Sequence, residues 1–254
     1  MTAPVDRQRR IASPFARDDV RYAIGRALLL GCAVVMALHL LAVVVRMRTR
    51  PEGGVLADVL ALLNGGHERS LASWWTSALL VACCAAALVA ARLARGAGEG
   101  GAARAWAVLA AVLGLLSLDE IVSLHERGAE WAAAVFETGS LLARLGWTIP
   151  AAAILVASLV VLVPAFRAVP RRARLIVVAG LATSIAGALG MEVLNVLLVD
   201  AGARYLWRHL AMAVEEAAEM AGVVIVLLGV LTAVRVSWNE RGMALAYDDG
   251  RADR

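Results

Sequence analysis

The chain contains no lysine: all 25 of its basic residues are arginine, as in proteins from GC-rich genomes. That absence rules out a Schiff-base lysine, which retinal and pyridoxal chemistry require, and a phosphate-loop lysine. Cysteine is scarce and odd in number. Cys32, Cys83 and Cys84 lie in apolar runs without CxxC or CxxH spacing, which argues against a disulfide framework or thiolate metal site and leaves packing. An HExxH zinc-protease motif is missing, and so are the two Glu-x-x-His motifs of di-iron bundles. Charge is also sparse, at 18% of residues against 61% hydrophobic, and the mean hydropathy is +0.74. This is the composition of an integral membrane protein. The net charge of +4 comes from arginines that flank apolar segments, so it speaks for membrane anchoring and against nucleic-acid binding.

Long apolar runs are what the chain does have. Judged against the need for about 20 residues to cross a bilayer, they predict six spans, at about 22–45, 71–91, 105–127, 145–166, 175–198 and 205–234. The expected fold is an all-α integral membrane bundle of six transmembrane helices covering 21–236, with cytosolic polar tails at 1–20 and 237–254. The first run is too long for a signal-peptide core and lacks a cleavage site, so it reads as a retained helix. With the N-terminus inside, 17 arginines fall on inner segments and 8 on outer ones, which places both termini in the cytoplasm of a cell-membrane protein. The stretch 55–63 in the first outer loop reads as an interfacial or re-entrant helix, with Asp58 arguing against a seventh span. The outer segment 128–144 reads as a surface helix.

Acids stand out against this background. The uncharged part of the third span, 105–118, covers only about 21 Å of a hydrocarbon layer roughly 30 Å thick. The helix must therefore continue through Asp119 and Glu120 toward His125. The sixth span repeats the argument, since 220–234 is also too short and Glu219, Glu216 and Glu215 are drawn in. Glu192 lies eight residues before Asp200 in the fifth span. Three helices thus carry acids near the outer face, each costing about 2.5–3.5 kcal/mol at mid-membrane unless a partner offsets it. At about 100° per residue, Asp119 and Glu126 share a face with Ser123 between them, and Glu216 sits two turns from His209. Ser184, Ala188, Glu192 and Asn195 form a small and polar stripe, and Gly180, Gly187 and Gly190 allow close helix approach. The third, fifth and sixth spans form the expected functional core.

Three readings follow. A divalent metal ion would suit carboxylates with a few imidazoles, the candidate ligands being Asp119, Glu120, His125, Glu126, Glu192, His209, Glu215, Glu216 and Glu219. A metal-bound water would then serve chemistry on a membrane lipid or small amphipathic substrate. Alternatively, the acids mark a proton- or cation-coupled transport path, titrating as a coupled set, although no matching polar path continues through the inner half. The third reading is structural: outer arginines pair with the acids in a solvated vestibule. His39 on its own reads as a hydrogen-bonded packing residue and His67 as a loop residue. Ser117 and Ser123 are no evidence for a nucleophile without a placed base.

The combination of Ser117, Leu118, Asp119, Glu120, His125 and Glu126, then Gly190 and Glu192, then Glu215, Glu216, Glu219, Met220 and Gly222 resembles a class of uncharacterised bacterial multi-pass membrane proteins. The resemblance covers the third to sixth spans and implies no particular activity. Ceramidase-type membrane hydrolases are not matched, because an HxxxH pair is absent.

Overall fold

The computed structural model describes residues 17–66, 69–123, 148–239 and 242–250. In chain order the described elements are α1 (Arg17–Thr49), α2 (Val55–Leu62), α3 (Leu71–Gly96), α4 (Gly100–Val122), α5 (Thr148–Phe166), α6 (Arg171–Asp200) and α7 (Tyr205–Thr232). A two-stranded antiparallel hairpin, β1 (Val234–Asn239) and β2 (Gly242–Tyr247), follows. Four helical stretches are long and apolar enough to cross a membrane: Val20–Thr49, Leu71–Gly96, Gly100–Val122 and Arg171–Asp200. The chain is therefore a helical membrane-embedded protein. The fourth expected span corresponds to α5, whose described apolar run is Val156–Phe166. At 28 residues α7 has the length, but it carries Glu215, Glu216 and Glu219 inside it.

Helix α7 is the hub, packing against α6, α1 and α3, while α4 packs on α3 and α5. Two seams hold the bundle together, and each is legible in its residues. Between α3 and α4 the contact is made by small buried residues (Ala87, Ala90, Ala94, Ala102, Ala105), the large side chains Trp106 and Leu109, and a reciprocal serine pair. The Ser77 and Ser117 hydroxyls lie 2.8 Å apart, and each also donates to the other's carbonyl at 3.2 Å. Between α6 and α7 the backbones themselves meet. A Cβ on Gly180 would stand 2.6 Å from the Gly222 carbonyl oxygen, and one on Gly229 would stand 2.8 Å from the Val177 nitrogen. In lipid, helices gain nothing from hiding apolar surface, so close van der Waals contact of this kind supplies the association.

Two expectations are corrected. Among the described residues Gly190 takes no part in the close approach, since a Cβ there would meet none of them within 4 Å. Helix α4 ends at Val122, with Ser123 in the left-handed region (φ 57°) and its N–H on the Asp119 carbonyl at 2.7 Å. Glu126, expected to share a face with Asp119, lies outside the described residues. The polar tail expected from residue 237 instead begins with strands. The alternation Val234, Val236 against Arg235, Ser237 has the two-residue period of a strand, and it pairs with Leu245 and Tyr247 across the hairpin. The expected surface helix at 128–144 lies outside the described residues.

Candidate polar site at the distal end

The bundle has a proximal end, where α1 begins and α7 finishes, and a distal end, where α1 finishes and α7 begins. Arg21 of α1 donates to the Val234 carbonyl at the first, and His39 of α1 meets His209 of α7 near the second. The acids on α4 and α7 gather toward the distal end. Helix α3 measures their depth, because Ser77 is level with Ser117 of α4, and Ala72 and Glu216 of α7 both border Gly65. Along the helix axis these anchors put Asp119 and Glu216 within about 5 Å of one another in depth. Among the described residues α3 is the helix packed against both α4 and α7, and α4 has no comparable packing with α6 or α7, so α3 stands between them. Of the three spans expected to form the functional core, the fifth and sixth pair tightly, and the described part of the third packs on α3.

Helix α2 and the turn after it form the distal cover. Val55, Leu56, Val59 and Leu62 are exposed and Leu60 is buried, the pattern of a short helix lying along an apolar boundary. The chain then dips inward, with Asn64 and Gly65 buried. The Gly65 N–H donates to His39 Nδ1 at 2.8 Å. That bond fixes the other ring nitrogen as the protonated one, and Nε2 faces the His209 carbonyl oxygen at 3.5 Å. His39 is thus neutral, 1% exposed, and engaged by backbone groups on both sides. It is the packing residue expected of it, and it tethers the cover to α1. The two glycines pass close to α1, α3 and α7. A Cβ at 65 would make ordinary contact with His39 Nδ1 and the Glu216 Cγ, and one at 66 would displace the flexible end of Met212.

Around this tether the α7 residues assemble. The His209 ring is buried, 5.7 Å from the His39 ring and 4.2 Å from Tyr205 by centroids. Glu216 is half-buried beside Gly65. Glu215 accepts from Asn195 Nδ2 at 2.8 Å, and Ser184 donates to the Glu219 carbonyl at 3.1 Å, so α6 supports the acidic turn of α7 from the other side. Each of Asp119, Glu120, Glu215, Glu216 and Glu219 carries a polar or electrostatic contact. Glu192 stands one turn before Asn195 in α6. Its side chain lies outside the described residues, as do His67, His125 and Glu126. Among the described residues no group of three or more His, Cys, Asp or Glu is disposed to hold a metal ion. Residues that sequence reasoning passed over are Asn195 as a partner of Glu215, the Gly65 turn, and Thr76, whose buried hydroxyl has no hydrogen-bond partner among the described residues. The Gly-Gly pair at 65 and 66 was the available signal for the inward turn.

The other half of the bundle is dry. Trp106, Leu109, Val177, Met220, Val224 and Val230 are fully buried and fill the space between the distal acids and the proximal end.

A family model described as Domain of unknown function (DUF8692) matches residues 27–234, most of the chain, and the chain belongs to that family. No curated protein and no solved structure matches the chain.

Proposed function

We propose that this member of the DUF8692 family spans the cell membrane six times with both termini in the cytoplasm, and that its distal end, facing outward, holds a one-sided carboxylate and histidine site. On this reading the site binds a divalent cation and acts on a membrane lipid or a small amphipathic molecule from the outer face. The carrying observation is the asymmetry: acids, imidazoles and a folded-in cover at one end, and a continuous apolar core at the other. A transport path would have to cross that core, so binding or catalysis at one face fits the arrangement better than flux. Glu216 and His209, two turns apart on α7, are the proposed starting pair, to be completed by Glu192, His125 or Glu126, while Glu215 and Glu219 would line the site from the α6 side. Asp119 and Glu120, at similar depth but beyond α3, would line the vestibule.

Elemental analysis of the purified protein, with titration of Mn²⁺ and Zn²⁺ against wild type and Glu216→Gln, tests this. Stoichiometric metal that weakens at least tenfold in the variant supports it. No metal, with identical titrations, removes the cation from the reading. Proton flux in liposomes that depends on Glu216 would replace the one-sided site with a transporter. A second, structural reading is favoured by one set of contacts: both His39 nitrogens are engaged by backbone groups, and Glu215 is engaged by Asn195. It is supported instead if Glu216→Gln lowers the melting temperature while metal content and flux are absent in both proteins.

A further inference from the structure

The C-terminal hairpin is the one element of the described chain that is neither a helix nor part of the distal site. Its register pairs Val234 with Tyr247, Val236 with Leu245 and Trp238 with Met243, so these positions share one face of the ribbon. The opposite face carries Arg235, Ser237, Ala244 and Ala246. At the base, the apolar face is seated on the bundle. Val234 is buried, and the Trp106 Nε1–H donates to the Tyr247 hydroxyl oxygen at 3.2 Å. The base is also pinned by the Arg235–Asp248 ion pair at 3.1 Å and by the Asp248 N–H on the Ala233 carbonyl at 2.9 Å. Further out the same face has no cover among the described residues: Val236 is 44%, Leu245 41% and Met243 58% exposed.

A two-stranded ribbon is marginal in water by itself, so an open apolar half needs a medium that accepts it. The depth of the hairpin supplies one. Trp106 is six residues inside α4, about 9 Å from its start, and Tyr247 reaches it. The ribbon is therefore flush with the ends of the membrane helices, not held out in solution. Exposed arginines surround that end (Arg92, Arg95, Arg104, Arg167, Arg171), against the nearby acids Glu99, Asp248 and Asp249. We propose that the hairpin is a membrane-surface anchor whose outer apolar face, Val236, Met243 and Leu245, is seated in the headgroup boundary of a bilayer rich in anionic lipid. Buried apolar area and the attraction of arginine for lipid phosphate act together in such a seat.

The test uses the full chain with Cys84→Ala, since Cys32 and Cys83 are buried. Met243→Cys on the apolar face and Ser237→Cys on the opposite face each carry an environment-sensitive fluorophore in lipid nanodiscs. The expected result is blue-shifted emission at 243, quenched several-fold more by brominated lipid than by aqueous iodide, with the reverse at 237. Quenching at 243 should also be greater with phosphatidylglycerol present than in phosphatidylcholine alone. Equal iodide quenching at both sites would place the ribbon in water and overturn the proposal, and equal lipid quenching in the two compositions would overturn its anionic preference. Disulfide cross-linking between copies through Met243→Cys, with no lipid quenching, would show that a second chain covers the face and would also overturn it.

Discussion

The two ends of the bundle are each closed by a segment that does not cross the membrane, and they are closed in opposite ways. At the distal end a glycine turn folds in between helices and is held by a hydrogen bond to an imidazole, with glutamates beside it. At the proximal end a ribbon lies across the helix ends and is held by a tryptophan–tyrosine contact over a dry core. The same contrast runs along the α6–α7 pair. From Gly229 to Gly187 the contact is backbone on backbone, and beyond Gly187 it passes to the side chains of Asn195 and Glu215. Polar groups gather where the glycine seam gives way, because only there do side chains of some length have room between these two helices.

The largest effect should come from removing the contrast. Val224→Asp puts a carboxylate into the dry half, where the side chain is fully buried. It should cost about 3 kcal/mol or more in membrane stability, read as loss of the folded fraction in a detergent unfolding series. If the variant folds as well as wild type, the proximal half is not dry.

Next comes the seam. Gly222→Ala would place a methyl group against the Ser184 hydroxyl and 2.6 Å from the Gly180 carbonyl oxygen. Because backbone cannot step aside, a loss of about 1–3 kcal/mol is expected. Gly190→Ala, with open space around it, should be neutral or gain up to about 1 kcal/mol from helix propensity. Equal effects at the two positions would mean that the helices are not in backbone contact.

These positions also mark how far sequence could reach. Span-length arithmetic carried Asp119, Glu120, Glu215, Glu216 and Glu219 into helices, since a short apolar stretch has to be completed by whatever follows it. Gly180 and Gly187 were legible as close-approach residues by type. What the chain does not announce is which helix stands beside which. That α3 separates Asp119 from Glu216 follows from packing choices, among them the Ser77–Ser117 pair, that no periodicity encodes. His39 illustrates the same limit in reverse: its bland reading holds, yet its partner is a loop amide 26 residues away. The hairpin was missed because arginine, aspartate and glycine around it give the composition of a tail.

At the distal end, His39→Ala leaves the Gly65 N–H buried and unpaired. A loss of about 1–3 kcal/mol is expected, together with faster hydrogen exchange of the 63–66 amides. His39→Asn, which retains a side-chain acceptor, should recover part of the protection. Unchanged exchange in His39→Ala would detach the cover from α1 and weaken the view that the distal turn is tethered.

The smallest effect belongs to the proximal closure and is a matter of pH. Burial pushes the Tyr247 hydroxyl above its ordinary value of 10, and the negative charges of Glu99, Asp249 and Asp248 push the same way, while the hydrogen bond from Trp106 opposes them. The folded state therefore holds the Tyr247 proton more tightly than the unfolded chain does. Its contribution is complete below about pH 10 and is lost as the pH rises through the higher folded value. The tyrosinate difference spectrum between wild type and Tyr247→Phe should appear only above pH 10, and Tyr247→Phe should cost about 0.5–1.5 kcal/mol at neutral pH. Ionisation of Tyr247 at or below pH 10 would mean that the base of the ribbon is open to water, and the two ends would then differ less than their contacts imply.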